Sequence, residues 1–521
     1  MSTVHPRTVL WLADRVVPAR PDADAMVTED DRVLWVGTAS SLDAAADGTI
    51  DLRGTVITPA FVDAHVHATA TGLALDGLDL HGATSLSDAL DRLARHASSR
   101  PGEVLRGTGW DESTWPERRS PTAAELDRAT DGAVVYLARA DVHGAVASSA
   151  LLARCDLSDV DGVVGDGLVR LDAHHVVRRE VNAALTPAET ARAQRRTLAE
   201  AARLGVGAIH EMAGPEIGGL GDLESLLALA AAQPTIDVFA YWGAIGDLET
   251  PRRLGLVGAG GDLFCDGSIG SHTAALHAPY ADAATSGVLR FDLDELVEHI
   301  ALTVSAGLQS GFHVIGDAAV DQVLTAYEQV AARVGTDAVR EGRHRLEHVE
   351  MASADAVSRM AALGLTASVQ PAFDAAWGGP DLMYVDRLGR ERGTALNPYS
   401  AMSRAGVLLA LGSDAPVTAI DPWGAIRAAV HHRTPASAIS ARVAFAAATV
   451  GGHAAVGRVG GQLLAGGRAT FASWESRSAD AATWDLLDDD TAPGRLPAET
   501  PVCLRTVVGG RTVYDLTGAV G

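Results

Sequence analysis

Short apolar runs alternate with longer amphipathic stretches through the middle of the chain. The predicted strands are residues 61–67, 205–212, 236–243, 261–266, 308–315, 344–349, 365–370 and 407–413, and helical stretches such as 187–204, 293–306, 318–334 and 353–363 separate most of them. Strands that alternate with helices indicate a parallel sheet. Eight of them predict an α/β fold, a (β/α)8 TIM barrel with its active site at the carboxyl ends of the strands.

The two ends of the chain have a different pattern. Short strand-like runs cover residues 8–12, 25–28 and 32–37, and similar runs return at 469–474 and 502–514. Short runs broken by polar turns are typical of hairpins. We therefore predict a small β-domain built from both termini, residues 1–57 and 457–521, beside a barrel of residues 58–456.

The gap between the first and second barrel strands is too long for one helix. We predict an inserted subdomain there, at about residues 73–186. It contains the Gly109-Trp110-Asp111 segment and a strand-like run at 133–138 that leads to Asp141 and His143. We expect Trp110 and Asp111 to line the cavity entrance and to contact substrate.

Histidine and aspartate recur where the predicted strands end. They are His65 and His67 on strand one, Asp262 on strand four, His313 on strand five, His348 on strand six and Asp414 on strand eight. Alternation in a strand sends residues two apart to the same face, so His65 and His67 can hold one metal ion together. Imidazoles and carboxylates suit zinc, manganese or iron. A single His-x-His is weak, but this series predicts a metal site.

Composition limits the partners and the compartment. The chain has 521 residues, 47% of them hydrophobic, and a formal net charge of -24. A large core follows from the first two values, and the acidic charge argues against nucleic acid and favours a small-molecule substrate. There is no apolar stretch of membrane-spanning length, and three cysteines are too few for a disulfide framework. We expect a cytoplasmic protein without membrane contact. The sequence leaves open whether the chain forms a homo-oligomer.

Five segments carry a family resemblance. They are residues 59–67 (PAFVDAHVH), 264–271 (FCDGSIGS), 313–317 (HVIGD), 345–348 (RLEH) and 412–416 (GSDAP). Together they resemble the amidohydrolase superfamily, and within it the branch of N-substituted formamide deformylases, over essentially the whole chain. The resemblance implies a metal-dependent hydrolase that cleaves a non-peptide carbon–nitrogen bond, in an amide or an N-formyl or N-acyl amine, with water activated by the metal.

The resemblance also implies residue roles. His65, His67, His313 and Asp414 correspond to metal ligands, and Asp414 also to the group that takes the proton of water and passes it to the departing amine. His348 corresponds either to a ligand of a second metal or to a hydrogen-bonding partner of the water. The expected cofactor is a divalent ion, with zinc as the first choice.

One departure from the family pattern bears on the metal count. Many relatives carry a carboxylated lysine on the fourth strand, but this chain has no lysine, and Asp262 occupies that place. Because its carboxylate is shorter than a carbamate, we expect one tightly bound metal rather than two, with Asp262 as a ligand or as a residue that orients one. Glu211, at the end of the second strand, is expected to orient a ligand, to bind metal or to cap a helix.

Several other histidines carry weaker signals, and the sequence leaves two alternative functions open. His143 resembles a position that faces substrate, and the pairs at 174–175 and 431–432 are expected to face solvent. Ring-amine deaminases of the superfamily place a glutamate shortly after the fifth-strand histidine, where this chain has Gly316-Asp317. A deaminase is therefore a weaker alternative, and a catalytically silent barrel that acts as a binding protein has only the missing lysine in its favour.

Overall fold

The structure is a computed structural model that describes residues 7–17, 22–43, 45–476, 484–487, 496 and 499–516. Its largest sheet has eight parallel strands in chain order. Barrel strands 1 to 8 are Phe61–Val66, Val206–Ala213, Asp237–Trp242, Gly258–Ala259, Gln309–Val314, Arg345–His348, Thr366–Val369 and Leu408–Leu411. A parallel bridge between Val66 and Ala415 joins the two edges of the sheet. The predicted TIM barrel is confirmed.

Barrel strand 4 differs from the prediction. It covers only Gly258–Ala259, three residues before the predicted 261–266 run. Gly260 and Gly261 have φ of 134° and 83°, and a Cβ on Gly260 would lie 2.3 Å from the Gly311 nitrogen. These two glycines end the regular strand. The following segment keeps one contact with strand 5, the bridge between Phe264 and His313.

Helices surround the barrel and continue into the insertion. The α-helices are Ala68–Asp76, Leu86–Ser98, Ala123–Thr130, Ser149–Leu152, Leu171–Ala183, Pro187–Arg203, Leu220–Ala232, Glu249–Leu254, Leu293–Ala306, Asp317–Val334, Thr336–Glu341, Ala354–Leu363, Pro371–Trp377, Met383–Leu388, Arg390–Gly393, Tyr399–Arg404, Pro422–Val430, Ala441–Ala446 and Gly452–Ala455. Capping explains several starts. Thr186 and Asp292, for example, each form a reciprocal capping box with a glutamate three residues later. Among the described helices, none is both long and apolar enough to cross a bilayer.

Three smaller sheets complete the fold. One contains Thr8–Leu12, Ala25–Glu29, Arg32–Gly37 and Gly48–Asp51; a second, built from both ends of the chain, contains Arg15–Val16, Thr55–Pro59, Phe471–Glu475, Cys503–Val508 and Arg511–Asp515. The third lies in the insertion and contains Leu78–Asp79, Leu105–Trp110, Val135–Arg139, Gly144–Ala147, Val163–Gly165 and Leu168–Arg170. The N-terminal strands therefore contribute to two sheets, and only one of these includes C-terminal strands.

Aromatic side chains pack the sheet that is built from both ends of the chain against the barrel. The ring of Phe61, at the start of barrel strand 1, lies 5.2 to 5.6 Å from the rings of Trp423, Phe445 and Trp474. The Trp474 indole N–H also donates to Thr58 Oγ1 at 2.8 Å. This contact lies at the amino end of the strand, opposite the end that carries the histidines, so it stabilises the barrel without approaching the site.

Candidate metal centre

Barrel closure positions the first functional residues. His65 lies on barrel strand 1 and His67 directly follows it, and the Asp414 amide after barrel strand 8 donates a 2.8 Å hydrogen bond to the His65 carbonyl. Asp414 has φ of 53°, a left-handed conformation rare for residues with a side chain. In this turn, Asp414 Oδ1 lies 3.3 Å from His65 Nε2 and 3.2 Å from His67 Nε2.

Asp262 lies at the centre of the cluster. Its Oδ2 is 3.5 Å from His67 Nε2 and 3.9 Å from His65 Nε2. Its Oδ1 is 3.4 Å from His348 Nε2 and 2.9 Å from His313 Nδ1. One buried carboxylate thus approaches all four histidines that the strand pattern singled out.

Three of these imidazoles have one nitrogen fixed and the other directed at the carboxylates. The Nδ1 partners are Glu347 Oε2 for His65 at 2.8 Å, the Met212 carbonyl for His67 at 3.0 Å and Gln370 Oε1 for His348 at 2.8 Å. Each partner is an oxygen acceptor, so each neutral ring carries its hydrogen on Nδ1 and a lone pair on Nε2. This arrangement presents three nitrogen lone pairs to two carboxylates.

Several of the converging atoms have no hydrogen-bond partner. Among the described residues, His65 Nε2, His348 Nε2 and Asp414 Oδ1 are buried and make no hydrogen bond. Buried polar atoms in this state are costly and call for an explanation such as an ion. Two groups have ligand atoms within 4.8 Å of one another, the first formed by His65, His67 and Asp414 and the second by His65, Asp262 and His348. The residues fit a divalent metal.

The electrostatics of the cluster also favour a cation. Burial opposes a charge on His67, but Asp414, Asp262 and Glu211 outweigh burial and raise its pKa to about 9. For His348 the same opposition from burial is outweighed by Asp262 and Asp414, and its pKa also rises to about 9. The carboxylates therefore attract positive charge strongly enough to hold protons on buried imidazoles, and a divalent ion supplies that charge at neutral pH.

A buried ion pair holds His65 in place. Burial alone disfavours the charge on Glu347, but Arg345 and His65 outweigh it and lower the Glu347 pKa to about 2. Arg345 Nε donates to Glu347 Oε1 at 2.5 Å, and its Nη2 donates to the Ala64 carbonyl at 2.7 Å. Both residues belong to the RLEH motif at 345–348, and no role was predicted for them. Their signal was the Arg-x-Glu-His spacing, which puts Arg345 and Glu347 on one face of barrel strand 6.

The structure changes the expected places of His313 and Asp262. His313 belongs to neither three-residue group; its Nδ1 contacts Asp262 at 2.9 Å and its Nε2 contacts the Gly267 carbonyl at 3.3 Å. Asp262, expected to be a ligand or a residue that orients one, approaches all four histidines. The reason lies in the backbone, because Gly260 and Gly261 bring the segment after strand 4 inward.

Glu211 and Asp266 support the surrounding backbone. Glu211 Oε2 accepts a 2.8 Å hydrogen bond from the Ala68 amide, and burial raises the Glu211 pKa to about 8 despite nearby His67. Glu211 thus fixes the first turn after His67 and lies outside both groups. Asp266 accepts from the Ala275, Ile315 and Gly316 amides at 2.8 to 3.1 Å.

A cavity of about 150 Å³ opens on the cluster. His67, His313, Asp262 and Asp414 form its floor, together with other lining residues from the insertion. His143, expected to face substrate, does line this cavity, with its ring 5.1 Å from that of His313. Burial and the charge of His313 lower the His143 pKa to about 3, so the ring is neutral at physiological pH.

Trp110 and Asp111 do not line this cavity, which corrects their expected place. Trp110 is 1% exposed, packs with Trp115 in the core of the insertion and donates to the Leu137 carbonyl at 2.9 Å. Asp111 accepts from Ser113 and from Arg139, and it borders a neighbouring cavity of about 840 Å³. Trp110 ends the strand Leu105–Trp110 of the insertion sheet, and Asp111 directly follows it.

The histidine pairs also differ from expectation. His174 and His175 are buried and line the cavity, and His432 is buried beside Asp374; of the four, only His431 is exposed. His174 and His175 lie on the helix Leu171–Ala183, which covers the barrel mouth. The sequence could not show that this helix faces the barrel.

Comparison with known proteins gives a consistent picture. Residues 48–514 match the amidohydrolase family. LONG AFTER FAR-RED 3 of Arabidopsis thaliana is 28% identical over 95% of this chain and 89% of its own length. The N-substituted formamide deformylase of Arthrobacter pascens is 26% identical, with 97% of each chain covered.

Solved structures show the same relationship. An uncharacterized metal-dependent hydrolase from Pyrococcus horikoshii OT3 superimposes with a TM-score of 0.72 at 25% identity, covering 93% of this chain and 99% of that one. A second, from Pyrococcus furiosus, gives 0.70 at 28% identity, covering 89% and 98%. The likeness extends through the barrel and the sheets around it.

Proposed function

This chain belongs to the amidohydrolase family, and from that premise we propose that it is a metal-dependent hydrolase acting on the non-peptide carbon–nitrogen bond of an N-formyl or N-acyl amine. The relative from Arthrobacter pascens, named for deformylation of N-substituted formamides, supports this class of substrate. The small cavity above the cluster supports a small molecule. The acidic net charge and the three cysteines support a cytoplasmic enzyme.

The observation that carries the proposal is the set of unpartnered buried atoms around Asp262. His65, His67, Asp262, His348 and Asp414 would hold the ion. A bound divalent metal supplies Lewis acidity toward a carbonyl and lowers the pKa of water. Nitrogen and carboxylate donors of this kind favour zinc as the ion.

We propose one ion per chain. Both three-residue groups include His65, whose Nδ1 is already committed to Glu347. Only Nε2 of His65 remains, and one nitrogen lone pair binds one metal. The two groups therefore compete for His65 and describe a single centre with Asp262 between them.

The residues divide the remaining work. Asp414 is the proposed base, because its Oδ1 is buried beside the cavity without a hydrogen bond and can accept the proton of the attacking water. Returning that proton to the departing amine completes the hydrolysis. Gln370 holds the His348 ring through Nδ1 at 2.8 Å, which leaves Nε2 for the ion, and His313 holds Asp262 by its 2.9 Å contact. Neutral His143 can donate a hydrogen bond to substrate from the cavity wall.

The deaminase alternative receives no support from the loop after His313. Asp317 Oδ1 accepts from the His277 and Ala318 amides at 3.0 Å, and Asp317 does not line the cavity. A carboxylate that serves a ring amine has to reach the reacting atoms. Asp317 instead joins the His277 loop to the first turn of its own helix.

Two measurements test the proposal. Elemental analysis of the purified protein should find a divalent metal, and removal by a chelator should abolish activity that zinc restores. The protein should then release formate or another acid from a panel of N-formyl and N-acyl amines. Hydrolysis by the metal-free protein, or ring deamination without amide cleavage, would reject the proposal.

A further inference from the structure

Three arginines from outside the barrel strands line the cavity: Arg106, Arg178 and Arg290. Arg290 is neutralised, because its Nη2 lies 3.1 Å from Asp172 and 3.4 Å from Glu216. Arg106 and Arg178 form no ion pair with any described residue, and the Nε atom of each is buried without a hydrogen-bond partner. Neither cation on this cavity wall thus has a carboxylate of the described residues within ion-pair distance.

The two fully buried arginines among the described residues, unlike half-buried Arg106 and Arg178, are paired with carboxylates. Arg139 is paired with Asp111, Glu112 and Asp141 at 2.9 to 3.1 Å, and Arg345 is paired with Glu347. A buried charge is expensive unless it is paired. The absence of a carboxylate within ion-pair distance of Arg178, among the described residues, therefore points to a ligand.

Arg178 is held by neutral groups. Its Nη2 donates to the Glu216 carbonyl at 2.5 Å and contacts His175 Nδ1 at 2.9 Å. These contacts fix the guanidinium on the helix Leu171–Ala183 and include no carboxylate. Arg106 is fixed in the same way, through a 2.7 Å hydrogen bond to the Val181 carbonyl of that helix. A guanidinium so prepared can bind an anion with little loss of side-chain freedom.

Arg178 also has a short connection to the metal centre. The His175 ring, which Arg178 contacts, lies 5.7 Å from the Phe264 ring, and the Phe264 ring lies 5.2 Å from that of His313. Phe264 therefore separates the cation from the cluster with an apolar face. A molecule with an amide at the cluster can lay its carbon chain on Phe264 and end at Arg178.

We propose that Arg178, aided by Arg106, binds an anionic group of the substrate, so that the preferred substrates are N-formyl or N-acyl amines that carry a carboxylate. This inference rests on the proposed amide hydrolysis and adds the substrate class. Hydrogen bonds to charged groups contribute enough that a carboxylate should bind about 10- to 100-fold more tightly than its neutral carboxamide.

A binding experiment tests this without hydrolysis. 4-Oxopentanoate is the carbon analogue of N-acetylglycine and has no amide to cleave. Its neutral counterpart, 4-oxopentanamide, carries a primary carboxamide, so the ligand recovered after the titration has to be intact for the comparison to count. The metal-loaded protein should bind the acid about 10- to 100-fold more tightly by calorimetry. Arg178→Gln should remove this preference, whereas the control Arg253→Gln, on an exposed arginine paired with Glu224, should keep it.

The outcomes separate the inference from the proposed function. Equal affinity for acid and amide in the parent protein would overturn the inference, even if Arg178→Gln fails to fold. A preference that survives in Arg178→Gln would also overturn it, since the metal itself would then hold the carboxylate. Hydrolysis of neutral N-formyl amines but not of N-formylglycine would reject the anion site and keep the proposed function, whereas hydrolysis of no amide would reject both.

Discussion

The metal cluster and the helical wall that faces it across the cavity are built in different ways. In the cluster, His65 and His348 are carried by barrel strands, and their Nδ1 atoms are fixed by Glu347 and Gln370. On the wall, Arg178 belongs to a helix of the insertion and is fixed by a loop carbonyl. We therefore propose that the barrel provides the chemistry and that the insertion selects the molecule that reaches it.

The largest effect is expected when a histidine of the cluster is replaced. His65→Ala should remove the bound ion and reduce hydrolysis of every substrate to background, because His65 belongs to both three-residue groups. Elemental analysis and turnover measure the two effects. His277→Ala, on an exposed histidine paired with Asp321, is the matched control and should keep both metal and activity. An active His65→Ala protein with its full metal content would refute the site.

The second-largest effect is expected for the proposed base, and it separates the chemical step from substrate binding. Asp414→Asn keeps the size of the side chain and removes the proposed base, so kcat should fall by about 10²- to 10⁴-fold. KM should change far less, because the cavity keeps its shape. Steady-state kinetics on one N-formyl amine measure both values. A similar fall for Arg178→Gln on a neutral substrate would contradict the division of labour between cluster and wall.

Removing the ion pair that supports His65 should lower both the stability of the protein and its affinity for the metal. Glu347→Ala leaves Arg345 buried without a counterion and should lower the free energy of unfolding by about 3–5 kcal/mol. It should also weaken metal binding by about 10- to 100-fold, because His65 loses its orienting partner. Glu347→Gln keeps an acceptor for His65, so it should lose stability and largely retain metal affinity. Denaturation and metal titration of both variants distinguish the two roles.

The smallest effect is expected in the core of the insertion. Trp110→Phe removes the hydrogen bond to the Leu137 carbonyl and should cost about 1 kcal/mol of unfolding free energy. Since Trp110 does not line the cavity, kcat and KM should stay at the parent values. A changed KM would indicate that Trp110 contacts substrate, as the sequence predicted.

The same contrast explains how far the sequence could lead. Strand periodicity and motif order predicted that His65, His67, His313, His348 and Asp414 lie together, because the carboxyl ends of parallel strands meet at one end of a barrel. Asp262 was predicted as a ligand or an orienting residue, but its place among all four histidines was not, since it depends on how two glycines bend the chain after a two-residue strand.

The wall was less accessible to sequence analysis. The burial of His174 and His175 and the exposure of Arg178 to the cavity follow from how the helix Leu171–Ala183 packs on the barrel. No periodicity within that helix shows which neighbour covers it. The prediction for Trp110 was wrong for the same reason. The sequence around a tryptophan near a loop does not distinguish a residue packed in a core from one that lines a cavity.

Metal titration of the metal-free protein tests the central claim most directly, that these residues form one metal centre around Asp262. Calorimetric titration with zinc should show about one tight site per chain in the parent protein. In Asp262→Ala, which removes the carboxylate that approaches all four histidines, the same titration should show binding weakened by about 10-fold or more. Two tight sites in the parent, or unchanged affinity in Asp262→Ala, would contradict the account.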